Sequence, residues 1–165
     1  MQKAIFLDRD GVINSDVGHY YIYKVEDFLI NKGIIKSLKK FQEAGYLLFI
    51  VSNQGGVAKG IYTCEDVDKV HDYLVSQLNE NEIHLQEIFY CPHHESIAPC
   101  ECRKPSPYMV NQAIEKYNID INTSYLIGDS KRDIEAAEAA GVRGIKIDAN
   151  EDISIYCNKI IRGEI

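Results

Sequence analysis

Short apolar runs alternate along the chain with longer stretches in which apolar positions recur every three or four residues. The runs are Ala4–Leu7, Leu47–Val51, Glu87–Tyr90, Tyr125–Ile127 and Gly144–Ile147. They are continuous rather than alternating, which predicts strands covered on both faces. Between them, Ile34, Leu38 and Phe41 lie at helical spacing and stop at Gly45, and Val67, Val70, Leu74 and Leu78 do the same behind Thr63, a hydroxyl suited to an N-cap. Ser106-Pro107 predicts an N-cap followed by proline at the first helical position, leading into Val110, Ala113, Ile114 and Tyr117. An alanine-rich helix from Ser130 to Ala140 ends at Gly141. The resulting order, βαβαβαβαβ, predicts an α/β fold: one domain over residues 1–165 built on a Rossmann-like parallel sheet sandwiched by helices.

All four prolines fall between Pro92 and Pro107, so residues 91–105 read as an irregular insertion rather than a strand or helix. In open parallel sheets, ligands bind beyond the carboxyl ends of the strands. The residues expected there are polar: Asp8 and Asp10 after the first strand, Ser52-Asn53-Gln54 after the second, and Gly128-Asp129 after the fourth.

Composition narrows the classes of function. The 165 residues hold 18 basic and 25 acidic side chains, a net charge of −7, so no global positive field draws in nucleic acid. No apolar run approaches the roughly 20 residues that span a bilayer. The N-terminal apolar stretch meets Asp8 after four residues, unlike a signal peptide. These features predict a cytoplasmic protein without membrane or nucleic-acid partners.

Asp8-Arg9-Asp10-Gly11 follows a hydrophobic strand, and two carboxylates two residues apart can divide the roles of nucleophile and general acid/base. A lone Asp-x-Asp-Gly is more often a solvated turn. Here it is accompanied by three further features. Ser52 and Asn53 can donate to phosphoryl oxygens, with Gly55-Gly56 allowing close backbone approach; Arg103 and Lys104 can neutralise a phosphate; and Asp129 can share Mg²⁺ with Asp8 through oxygens.

In this order and spacing the four elements resemble the haloacid dehalogenase-like phosphohydrolases, over residues 3 to about 148. The resemblance implies a monomer acting on a small phosphorylated metabolite, in which Asp8 attacks phosphorus to form an aspartyl-phosphate. Asp10 would protonate the leaving alcohol and then activate water, while Ser52 and Lys104 stabilise the transferring group. Mg²⁺ would be held by the Asp8 side chain, the Asp10 main-chain carbonyl and Asp129, with Asp133 behind them. At this length the chain would lack the mobile cap of many relatives, so short segments would close the site: residues 15–27 and the proline-rich insertion.

Five cysteines, three of them between Cys91 and Cys102, suit metal ligation better than disulfides. Cys91, His93, Cys100 and Cys102 make a Cys-x-His…Cys-x-Cys set for structural, tetrahedral Zn²⁺, with His94 competing with His93; Cys64 and Cys157 read as ordinary thiols. Within the family this zinc loop resembles the small group that contains heptose-bisphosphate phosphatases and histidinol-phosphatase domains. That likeness implies a substrate site in which His19 and Tyr21 form a flap, Asn53 and Gln54 contact the substrate, and Arg103 meets the sugar or its second phosphate.

Overall fold

Ala4–Leu7 (β1), Leu47–Asn53 (β2), Glu87–Cys91 (β3), Tyr125–Gly128 (β4) and Arg143–Lys146 (β5) form one parallel sheet in the computed structural model, which describes residues 1–165. The strand order is β3-β2-β1-β4-β5, so the chain winds outward on one side of β1 and then returns to build the other. The register pairs Leu7 with both Ile50 and Ile127. The residues that follow β1, β2 and β4 therefore leave the sheet at one edge, at the point where strand order reverses.

All four residues of β1 are buried, and their alternation divides the core in two. Ile5 and Leu7 join a cluster of 23 buried residues that includes Ile34, Leu38 and Phe41 of α1 (Ile34–Glu43) and Val70, Leu74 and Leu78 of α2 (Cys64–Glu80). Ala4 and Phe6 belong to a cluster of 12 buried residues on the opposite face, with Met109, Val110 and Ala113 of α3 (Tyr108–Tyr117) and Ala137 of α4 (Lys131–Ala139). Burial on both faces holds for the central strands. The edge strands β3 and β5 are half exposed, because helical cover thins at the margins of the sheet.

Two helix starts follow the sequence rules. Thr63 and Asp66 form a capping box on α2, and Ser130 and Asp133 form one on α4. The start of α3 differs from expectation: Pro107, not Ser106, is the N-cap, and the Ser106 hydroxyl accepts from the Tyr108 N–H at 3.2 Å while donating to the Glu101 carbonyl at 2.6 Å. A further helix, α5 (Ser154–Ile161), was not foreseen. Its eight residues are too few for a clear period, and its place is set by Cys157 and Ile160 packing into the α1 side of the core. No helix is long and apolar enough to cross a membrane.

Candidate active site

Lys104 is a buried charge at the centre of the site, 3% exposed. Its ammonium donates to Asp8 Oδ1 at 2.9 Å, to Asp133 Oδ1 at 2.6 Å and to the Val51 carbonyl at 2.7 Å, so all three N–H bonds are used. Burial pulls its pKa down, but the Asp8 and Asp133 carboxylates outweigh that and hold it above the ordinary lysine value. Asp8 is pushed well above the usual carboxylate range by burial and then by the Asp133 charge, against the pull of Lys104. Burial raises Asp129 in the same direction.

Carboxylate oxygens of Asp8, Asp129 and Asp133 lie within 4.8 Å of one another. One lysine cannot balance three carboxylates, and a hard divalent cation with oxygen ligands fits this donor set. Gly11 makes the crowding possible: its φ is +84°, and a Cβ there would sit 2.2 Å from Asp129 Oδ2.

Asp10 is held from two sides. Its Oδ1 accepts from Arg9 NH2 at 2.7 Å, Arg9 Nε at 3.2 Å and Asn14 Nδ2 at 2.9 Å. Its Oδ2 accepts from Gln54 Nε2 at 3.0 Å. Arg9 is fully buried, donates to the Ile22 carbonyl at 2.6 Å and lies 3.3 Å from His71 Nε2. Burial, reinforced by the Arg9 charge, pulls His71 down to about 3, so the ring stays neutral and its Nε2 accepts from the guanidinium.

Asp8, Asp10, Asn53, Gln54, Arg103, Lys104 and Asp129 line one cleft of about 570 Å³, with Tyr20, Tyr21, Lys131 and Arg132 at its rim. Ser52 lies beneath it, buried, its hydroxyl accepting from Gln54 Nε2 at 2.8 Å. His19 does not line the cleft: it is exposed and lies 3.9 Å from Asp27. Asn53, read from sequence as a substrate contact, has both amide atoms on the Lys104 main chain. It accepts from the Lys104 N–H at 3.0 Å and donates to the Lys104 carbonyl at 3.1 Å. Gln54 is buried, its amide facing Asp10, Ser52 and the Tyr62 hydroxyl at 2.7 Å. Arg103 is paired with Glu95 at 2.6 Å and reaches the His93 carbonyl at 3.2 Å. The close approach at Gly56 serves the chain's own side chain, since a Cβ there would meet the Tyr62 ring at 2.1 Å.

The insertion gathers the four candidate metal ligands. His93 Nδ1 lies 3.4 Å from Cys91 Sγ and 3.2 Å from Cys102 Sγ, and Cys91 lies 3.7 Å from Cys100. All four donor atoms fall within 4.8 Å of one another, as a closed tetrahedral site requires. His94 is turned to Ser96, 2.7 Å from its hydroxyl, which separates the two histidines. Sequence reasoning missed Arg9, His71 and Tyr62, whose contacts span 62 residues in the first pair and reach across the β2 loop in the last. A charged residue between two strand-end carboxylates was the one available signal for Arg9.

A family model described as HAD-hydrolase-like matches residues 101–151. The D-glycero-alpha-D-manno-heptose-1,7-bisphosphate 7-phosphatase of Photorhabdus laumondii is 44% identical over 146 residues, covering 85% of this chain and 79% of that protein. The D-glycero-beta-D-manno-heptose-1,7-bisphosphate 7-phosphatase of Haemophilus ducreyi is 41% identical over 148 residues, covering 86% and 80%. The crystal structure of the D,D-heptose 1,7-bisphosphate phosphatase from B. bronchiseptica, complexed with magnesium and phosphate, superposes with a TM-score of 0.86 at 25% identity, over 98% of this chain and 99% of that one. With sequence identity of this extent across most of both partners, and one fold shared from end to end, this chain belongs to the haloacid dehalogenase-like hydrolases, in the branch of the heptose-bisphosphate phosphatases.

Proposed function

We propose that this chain is a Mg²⁺-dependent phosphatase that removes the 7-phosphate of D-glycero-D-manno-heptose 1,7-bisphosphate by way of an aspartyl-phosphate on Asp8. The observation that carries this reading is the buried Lys104 ammonium, 2.9 Å from Asp8 Oδ1 at the floor of the cleft. A carboxylate that attacks a phosphate dianion needs a fixed cation beside it, and phosphoryl transfer asks little more of a protein than positioning and charge stabilisation.

Asp8 forms the new bond to phosphorus as the bond to the sugar oxygen breaks, and Asp10 gives that oxygen its proton. In the second half Asp10 takes a proton from water as the water attacks phosphorus, and the bond to Asp8 breaks to regenerate the carboxylate. Lys104 and Ser52 hold the transferring oxygens, and Asn53 fixes the Lys104 main chain. Mg²⁺ bound by Asp8, Asp129 and the Asp10 carbonyl would offset the carboxylate charge and orient the phosphoryl group. A structural Zn²⁺ on Cys91, His93, Cys100 and Cys102 would hold the loop that presents Arg103 and Lys104.

Histidinol phosphate is the second reading. The charges of the cleft argue against it: Arg103 and Arg132 share the single carboxylate of Glu95 and, with Lys131, leave a positive edge that favours a second anionic group, whereas histidinol phosphate carries a cation at its far end. Glu26 and Asp27, the acidic side chains of the 15–27 segment that could meet that cation, both lie outside the cleft, and Asp27 faces His19 at 3.9 Å. The names of both curated relatives given above support the same choice. The test is kcat/KM for both anomers of heptose 1,7-bisphosphate beside histidinol phosphate, in wild type and Arg103→Ala. A heptose bisphosphate preferred by tenfold or more, about 1.4 kcal/mol of transition-state binding, is expected. An equal preference for histidinol phosphate would overturn the assignment.

A further inference from the structure

Asp10 Oδ1 already accepts three N–H bonds, from Arg9 and Asn14. Its other oxygen, Oδ2, has one protein partner, the Gln54 amide at 3.0 Å. Gln54 is only 2% exposed and is itself anchored by the Tyr62 hydroxyl at 2.7 Å. Tyr62 is held in turn: its ring stacks on Tyr23, with centroids 5.0 Å apart and planes 6° from parallel, and lies against Gly56 so closely that any side chain there would displace it. A chain of contacts thus runs from the 15–27 segment through the buried Tyr62 and Gln54 to the one Asp10 oxygen left for chemistry.

We propose that Gln54 and Tyr62 are positioning residues that aim Asp10 Oδ2 at the leaving oxygen of the substrate. The role deepens the phosphatase reading and rests on it. A saturated Oδ1 leaves Oδ2 as the oxygen that carries the transferable proton. An amide is suited to its neighbour because it offers both a donor and an acceptor. Its N–H₂ serves the Asp10 carboxylate, and its oxygen, after a half-turn, serves the protonated acid. A carboxylate or an apolar side chain at position 54 lacks one or both. Tyr62 reaches the opposite end of the same amide, and its hydroxyl can donate or accept as the amide turns.

The test separates positioning of an acid from general support of the fold. The ester oxygen of a sugar phosphate leaves poorly without a proton, whereas nitrophenolate leaves without one. The ratio kcat/KM covers the chain of events through alcohol release, so it reports on the acid step. Tyr62→Phe and Gln54→Met are expected to lower kcat/KM for heptose 1,7-bisphosphate by roughly tenfold or more, and for p-nitrophenyl phosphate by less than about threefold. In an Asp10→Asn background Tyr62→Phe should add no further loss, because the group it serves is gone. Equal losses on the two substrates, or none on either, would overturn the role. Should Gln54→Met fail to fold, Tyr62→Phe carries the comparison, since it removes one oxygen and no carbon. Wild type and Asp8→Asn are the controls: no phosphate release by wild type, or full turnover by Asp8→Asn, would refute the phosphatase reading itself. Failure of the Gln54 and Tyr62 pattern alone would leave that reading standing.

Discussion

Lys104 Nζ and Asp8 Oδ1 stand 2.9 Å apart although 96 residues separate them in sequence, and the same ammonium is shared with Asp133 at 2.6 Å. The pair joins the end of the central strand to the end of the insertion over residues 91–105.

Removing that cation is therefore expected to harm both stability and activity. Lys104→Met leaves Asp8 and Asp133 buried together without a counter-charge, and breaking a buried pair in this way costs about 3–5 kcal/mol. Thermal unfolding should show a large fall in Tm, and phosphate release should drop by more than about 100-fold. Lys104→Arg should not restore activity, because the larger, planar guanidinium does not fit the three-acceptor pocket of a point charge.

Asp8→Asn separates the two effects. The change removes the nucleophile but also removes a carboxylate whose burial and Asp133 neighbour disfavour its charge. Turnover should fall to background while Tm is unchanged or higher. A variant that keeps most of its activity would exclude an aspartyl-phosphate.

The metal loop has its own signature. Protein prepared without chelator should hold about one Zn²⁺ per chain, and Cys100→Ser or Cys102→Ser should lose that metal and unfold at lower temperature, since a structural thiolate site adds its binding free energy to folding. After chelation, Mg²⁺ alone should not restore Tm, whereas Zn²⁺ should.

His71 predicts an acid-side loss of stability. Its pKa in the fold is pulled down to about 3 from an ordinary 6.5, so the unfolded chain binds the proton more readily. The stability it contributes is complete above about pH 6.5 and is lost progressively as pH falls toward 3. Urea unfolding across that range should show a slope that flattens in His71→Gln, a side chain that can still accept from Arg9. An unchanged slope would assign the acid sensitivity to other groups.

Much of this protein is written locally. The five strands follow from continuous apolar runs, four of the helices from three-and-four spacing with glycine or hydroxyl ends, and the acidic turn from its position directly after β1. The thiol and imidazole set of residues 91–102 is legible because its members lie within a dozen residues of each other. Such features depend on backbone geometry and neighbours along the chain, which a single sequence records.

What only the tertiary structure decided is which polar groups meet. Asn53 and Gln54 read as residues facing a substrate, yet Asn53 is engaged by the Lys104 main chain and Gln54 by Asp10, Ser52 and Tyr62. Arg9 lies under the acidic turn against His71, and α5 takes its place from the apolar face of α1. These outcomes follow from sheet order and helix packing, which bring residues from distant segments within hydrogen-bond reach. A buried polar group must find a partner wherever the fold supplies one, and neither spacing nor composition specifies that partner.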